Sequence, residues 1–242
     1  MKIKKCTKHD INYYYVCSEC VKPYLNSTQF SDLKEVRNYQ KRNAKRVSQI
    51  DKRTNYNLIG IINTRLIESL AYSGLIIYNI NDKEIVNIFF KTFKPIFTEY
   101  FSSILFLNQT EIYLDLIKNI DIIPDCYIIN ASGQIHPYFY GAACDFGLQI
   151  ETPVIGYTKK LLFGELRINK EKSNISQVYS EENLIGYAIP KLNTKKFYYI
   201  SVGNNISLQS ALTIFTHLDL GLFSSLRNDL NNYIQNRKRG II

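Results

Sequence analysis

Three apolar, β-branched runs, at residues 57–63, 71–79 and 85–94, follow one another with only short polar breaks between them. Breaks at 63–68 and 81–83 are too short to hold a crossover helix, so these strands must pair antiparallel, as hairpins. Beyond them the rhythm changes. A helix is expected around 99–119, then a buried strand at 126–130 after Pro124, a helix at 141–150 and a short strand at 153–157. A polar loop near 169–180, strands around 184–189 and 197–202, a helix capped by Ser207 and a last helix at about 224–236 complete the chain. A meander followed by strand–helix alternation implies a mixed sheet with helices against it, an α/β class. No apolar run reaches the length of about 18 residues that a membrane span needs.

Charge divides the chain unevenly. Of 242 residues, 30 are Lys or Arg and 21 are Asp or Glu, a net charge of +9. Residues 1–53 hold thirteen of the basic residues and only five of the acidic ones. The front is thus a cationic arm on a nearly neutral body, the charge pattern that concentrates phosphates and makes binding salt-dependent. Within it, residues 31–50 read as a charged amphipathic helix with Ser31 as N-cap. Lys41, Arg42, Lys45 and Arg46 are its candidate nucleic-acid contacts; a merely solvated helix face is the alternative.

The same arm carries Cys6-x-x-His9 and Cys17-x-x-Cys20. Two ligand pairs, each two residues apart, can complete one tetrahedral shell, and the thiolate/imidazole mixture suits zinc. A closed four-ligand shell is structural rather than catalytic. Residues 11–16 between the pairs read as a short strand, and residues 26–29 as a polar linker. This gives a zinc-knuckle-like segment at 1–28 and a larger domain at 29–242. A Cys17–Cys20 disulfide is the competing reading. It is disfavoured because residues 1–6 lack the apolar core of a secretory signal, so an intracellular chain (cytoplasm or nucleus) is expected. Cys126 and Cys144 fall in apolar segments as buried small hydrophobes.

Residues 124–164 carry Gly133, His136, Pro137, Gly141, Ala143, Gly147, Leu148, Pro153, Ile155, Gly156, Lys159 and Gly164. In this order and spacing they resemble the endonuclease V family, whose hallmark is Asp-Gly-x-Gly, x-x-His-Pro, a glycine/alanine-rich helix and Pro-x-Ile-Gly-x-x-Lys. Residues 40–50 with 58–60, and residues 201–208, resemble that family's leading helix and strand and its later Ser-Pro-Gly-His-x-Ile-Ser-Leu turn. The likeness covers roughly residues 37–220 and leaves the cysteine-rich front outside. It implies an RNase H-like sheet and a divalent-metal nuclease that recognises deaminated bases, chiefly hypoxanthine or inosine.

The chain departs from the family at the residues such chemistry needs. The first-strand aspartate falls on Ile62 (or, with a one-residue slip, Asn63), the mid-chain glutamate near Gln109, and the aspartate before Gly-x-Gly on Asn130. The later histidine falls on Asn204, while His136 and Lys159 remain. Neutral amides bind Mg²⁺ poorly, so Mg²⁺ is not expected and a degenerate nuclease that still binds DNA or RNA is the leading expectation. An active divergent endonuclease and a protein-interaction adaptor using the front segment stay open beside it. Lys159 is a candidate phosphate contact, and His136 either a phosphate contact or a loop brace. For the family's base-side wedge the nearest matches are Lys94-Pro95-Ile96-Phe97 and Tyr100-Phe101-Ser102, as stacking or as packing residues.

Overall fold

The computed structural model describes residues 3–168, 175–191 and 194–241. Two strands, β1 (Lys4–Lys5) and β2 (Asn12–Tyr13), pair antiparallel and precede helices α1 (Ser18–Leu25) and α2 (Leu33–Ala44). Then come β3 (Leu58–Ile67), β4 (Leu70–Asn79) and β5 (Glu84–Phe93), α3 (Phe106–Ile117), β6 (Cys126–Ile129), α4 (Ala142–Gln149) and β7 (Val154–Thr158). β8 (Glu165–Arg167), β9 (Ser176–Ser180), β10 (Asn183–Pro190), β11 (Phe197–Asn204), α5 (Leu208–His217) and α6 (Leu222–Lys238) follow. The large sheet runs β5-β4-β3-β6-β7-β11-β10-β9-β8. Its first three strands form the expected antiparallel meander, and β6 and β7 add parallel to β3. This is the RNase H-like α/β sheet that the resemblance implied.

Alternation along the central strands sends side chains to two cores. Ile62, Ile129 and Val154 pack on one face under α2, α3 and α4; Ile61, Ile128 and Ile155 pack on the other against Phe215, Phe223 and Leu226 of α5 and α6. Among the described residues no helix is long and apolar enough to cross a membrane.

Several expectations need correction. β3 does not stop at the polar residues after Ile62. It continues to Ile67, paired residue for residue with β4, and turns at Glu68, whose φ of 56° suits a two-residue hairpin. The leading helix starts later and ends earlier than 31–50. Asp32, not Ser31, is its N-cap, accepting from the Glu35 N–H at 2.8 Å. Beyond Ala44 the chain is tied elsewhere, the Ser48 N–H to Asn204 Oδ1 and the Lys52 N–H to the Asn205 carbonyl. Helix α3 begins at Phe106 rather than near 99, because Asn108 folds back to hold the backbone of Ile96 and Phe97. Part of the expected polar loop is β9; residues 169–174 lie outside the described residues.

The cysteine-rich front shares the body's core. Val21 and Leu25 of α1 join Val36, Phe97 and Phe101 in the cluster that also holds Ile62. Tyr24 sets its ring against Phe97 and Phe101 at 5.9 and 5.8 Å.

Candidate functional site

The cysteine–histidine pairs converge. The β1–β2 hairpin presents Cys6 and His9, and Cys17 and Cys20 flank the start of α1, so the local turns bring four donor atoms within 4.8 Å of one another. The Nδ1 atom of His9 lies 3.6, 3.7 and 3.4 Å from the sulfurs of Cys6, Cys17 and Cys20, and Cys6 Sγ lies 3.6 Å from Cys20 Sγ. Tetrahedral zinc, with Zn–S near 2.3 Å and Zn–N near 2.0–2.1 Å, separates its ligand atoms by about 3.5–3.8 Å. The spacing and chemistry of this donor set therefore fit such an ion. Desolvation raises the Cys6 thiol, but hydrogen bonds from the Lys8 N–H, the His9 ring, the His9 N–H and Cys20 together outweigh it and draw the pKa down to about 6. Among the described residues this is the one group of three or more His, Cys, Asp or Glu that could hold a metal.

The second location is the edge where β3, β6 and β7 run parallel. Ile62 and Ile129 are register partners, which sets Asn63 level with Asn130. The Asn130 Nδ2 donates to Asn63 Oδ1 at 2.8 Å. Ile62 itself is fully buried in the apolar core. On α3, Gln109 is buried and its Oε1 has no hydrogen-bond partner, whereas Glu111 is exposed. Two residues along a helix rotate a side chain by about 200°, so Glu111 does not substitute for Gln109. Asp125 is spent at the other end of β6, accepting from the Asn57 and Leu58 N–H groups and pairing with Arg53. An alkyl chain and neutral amides at these positions do not fit Mg²⁺, which takes oxygen ligands that include carboxylate.

The remaining expected residues divide by what they touch. His136 is buried: the Tyr138 N–H donates to its Nδ1 at 3.2 Å, and its Nε2 donates to the Ser103 carbonyl at 3.1 Å. Desolvation lowers its pKa to about 3, so it is a neutral brace between two loops. Asn204 is equally committed, donating to the Gly147 carbonyl and accepting from Ser48. Lys159 is exposed just past β7; partial burial, then the nearby charges of Arg227 and Lys191, hold its pKa below the usual lysine value. Lys41 stands over the Tyr138 ring at 5.7 Å, and it and Lys45 border the same groove. Arg42 is exposed but does not line that groove, and Arg46 bonds Asn43 beyond the helix end, so the four basic residues do not share one face. Of the aromatic wedge candidates, Phe97 and Phe101 are buried packing residues and Tyr100 is well exposed, with Lys94 and Ile96 exposed beside them in sequence.

One buried acid was missed in the sequence reading. Asp145, buried in α4, accepts from Tyr39 Oη at 2.9 Å and Tyr140 Oη at 2.7 Å, joining α2, α4 and the intervening loop. Burial raises its pKa despite those bonds. An acid inside the apolar run of 142–147 was the available clue.

Residues 41–220 match the family model described as Endonuclease V. The chain belongs to the endonuclease V family. It is 33% identical over 114 residues to the endonuclease V of Thermofilum pendens, covering 46% of this chain and about half (48%) of that relative's length. Its fold superposes on endonuclease V of Streptomyces avermitilis with a TM-score of 0.75 at 14% identity, covering 85% of this chain and 94% of the other. Ciona intestinalis endonuclease V, solved in complex with a 24mer DNA containing an inosine followed by a ribo-adenosine, gives 0.71 at 18% identity, covering 83% and 98%. The region matched to the endonuclease V model leaves out the Cys6, His9, Cys17 and Cys20 cluster and most of α2.

Proposed function

We propose that this chain is a nucleic-acid-binding member of the endonuclease V family that has lost metal-dependent strand cleavage, and that it carries a structural zinc at Cys6, His9, Cys17 and Cys20. The observation carrying the first part is the amide pair between Asn130 and Asn63, set beside a fully buried Ile62 where the family pattern calls for acids. Without clustered carboxylates there is nothing to seat the ion that activates water and neutralises charge on the phosphate. Nucleic-acid binding is supported by family membership, by the DNA held by the Ciona protein and by the cationic front, and Lys41, Lys45 and Lys159 are its proposed phosphate contacts.

The test is incubation of the purified chain with inosine-containing DNA and RNA oligonucleotides in Mg²⁺ or Mn²⁺. Salt-sensitive retention without strand scission is expected. Cleavage that EDTA abolishes, and that Lys159→Ala also abolishes, overturns the pseudonuclease reading.

A further inference from the structure

Two grooves, one of them bordered by α2, meet at a pair of aromatic rings. One, of about 820 Å³, runs beside Lys41 and Lys45 past Tyr138 and Phe139. The other, of about 530 Å³, lies between Tyr14 of the front segment and Phe163. Phe139 of the first groove and Phe163 of the second touch edge to face with ring centroids 5.7 Å apart, so the two grooves adjoin at these rings. Neither is lined by Ile62, Gln109 or Asn130.

Phe139 decides what this track is for. Its φ is 51°, the left-handed region that glycine occupies freely and a bulky side chain occupies rarely. Yet the strained residue leaves its ring partly exposed: Phe139 is 36% exposed, and Tyr14 47%. An exposed aromatic held at conformational cost points to a surface kept for contact, since packing does not demand it. Charge then selects the partner. Lys41 and Lys45 line the first groove, Lys41 over the Tyr138 ring, and Lys4 lines the second together with Glu165 and Glu181. An anionic backbone must follow the lysines, with flat groups turned toward the rings.

We infer that the track formed by Lys41, Lys45, Tyr138, Phe139, Phe163 and Tyr14 binds single-stranded nucleic acid, with unpaired bases stacked on the aromatic rings and phosphates on the lysines. Base–aromatic stacking tolerates any sequence, and it requires bases that are not already stacked in a duplex. The inference rests on the nucleic-acid-binding reading above and adds the strand form and the site.

Fluorescence anisotropy with labelled thymidine and uridine oligonucleotides of about fifteen nucleotides, and a duplex of similar length, tests it on the full chain. Single strands are expected to bind more tightly than the duplex, and the two oligonucleotides separate DNA from RNA. Phe139→Gly is expected to weaken single-strand binding about tenfold while leaving the melting temperature unchanged or higher, because glycine relieves the backbone. A residue that only packs gives the opposite pattern. Phe163→Ala is expected to weaken single-strand binding similarly and Phe163→Tyr to retain it. Replacing Lys41 and Lys45 with Gln lowers the slope of log affinity against log salt by about 0.7 for each phosphate that a lysine no longer neutralises. Equal affinity for single strand and duplex, or unchanged binding in Phe139→Gly and Phe163→Ala, overturns the inference and leaves the broader reading standing. No binding to any of the three probes overturns both.

Discussion

Two places in this chain are candidate metal sites by sequence pattern, and they differ in donor chemistry. At the front, three sulfurs and an imidazole converge from a hairpin and a helix start that are otherwise small and largely exposed. At the parallel edge of the sheet, far better supported by surrounding core, the equivalent positions offer an alkyl chain and amides. Scaffold quality and ligand capacity are therefore separable. Beside the second place, a Cβ at Gly133 would lie 2.1 Å from the Val202 carbonyl oxygen, so the close approach of that loop to β11 requires glycine. What differs there is charge, and charge is what a divalent ion needs.

Metal removal should give the sharpest contrast. A strong chelator is expected to strip about one zinc per chain, lower the melting temperature and expose the Val21 and Leu25 side of α1. Structural zinc contributes on the order of 10 kcal/mol in zinc-finger peptides. Mg²⁺ added to the holoprotein is expected to leave the melting temperature unchanged. Metal analysis and thermal scans check both arms. Because Tyr24 packs on Phe97 and Phe101, and Ser103 accepts from His136, loss of the front should also raise hydrogen exchange in residues 97–103.

His136 gives a smaller effect, and its sign is fixed. Its pKa in the fold, about 3, lies below the ordinary histidine value of about 6.5, so the unfolded chain binds the extra proton between those limits. Its contribution is present above pH 6.5 and is lost progressively toward pH 3, with a slope of at most about 1.4 kcal/mol per pH unit. Denaturant titrations across that window should show the slope, and His136→Asn should flatten it. If the slope persists in the variant, the buried neutral imidazole is not its source.

The meander was legible because its strands are long, β-branched and joined by turns too short for anything else. β8 was not, because Glu165-Leu166-Arg167 is short and polar and exists as a strand only by pairing with β9. Helix α1 was hidden by its own chemistry: Pro23 inside it and the Cys-x-x-Cys spacing both read as a loop. The basic spacing of residues 37–52 continues past the true helix end, since the chain is pulled away at Ser48 by a side chain 156 positions later. At the sites, the convergence of the cysteine–histidine cluster could be read directly, because it follows from residue type and spacing. The bracing roles of His136 and Asn204 and the buried Asp145 could not, because each depends on a partner supplied by the fold.

The smallest expected effect tests how much charge the edge lacks. Asn130→Asp places one carboxylate beside Asn63, whose amide can turn to donate to it, so the hydrogen bond survives. Asn130 is only partly buried, and a hydrogen-bonded carboxylate there should change stability by less than about 1 kcal/mol. Calorimetric Mg²⁺ titration of this variant is expected to remain flat. One acid leaves Ile62 in the core and Gln109 uncharged, and Mg²⁺ gives up its water reluctantly unless several oxygen ligands replace it. Saturable Mg²⁺ binding by the single variant means that another carboxylate already faces the position, which removes the contrast between the two places.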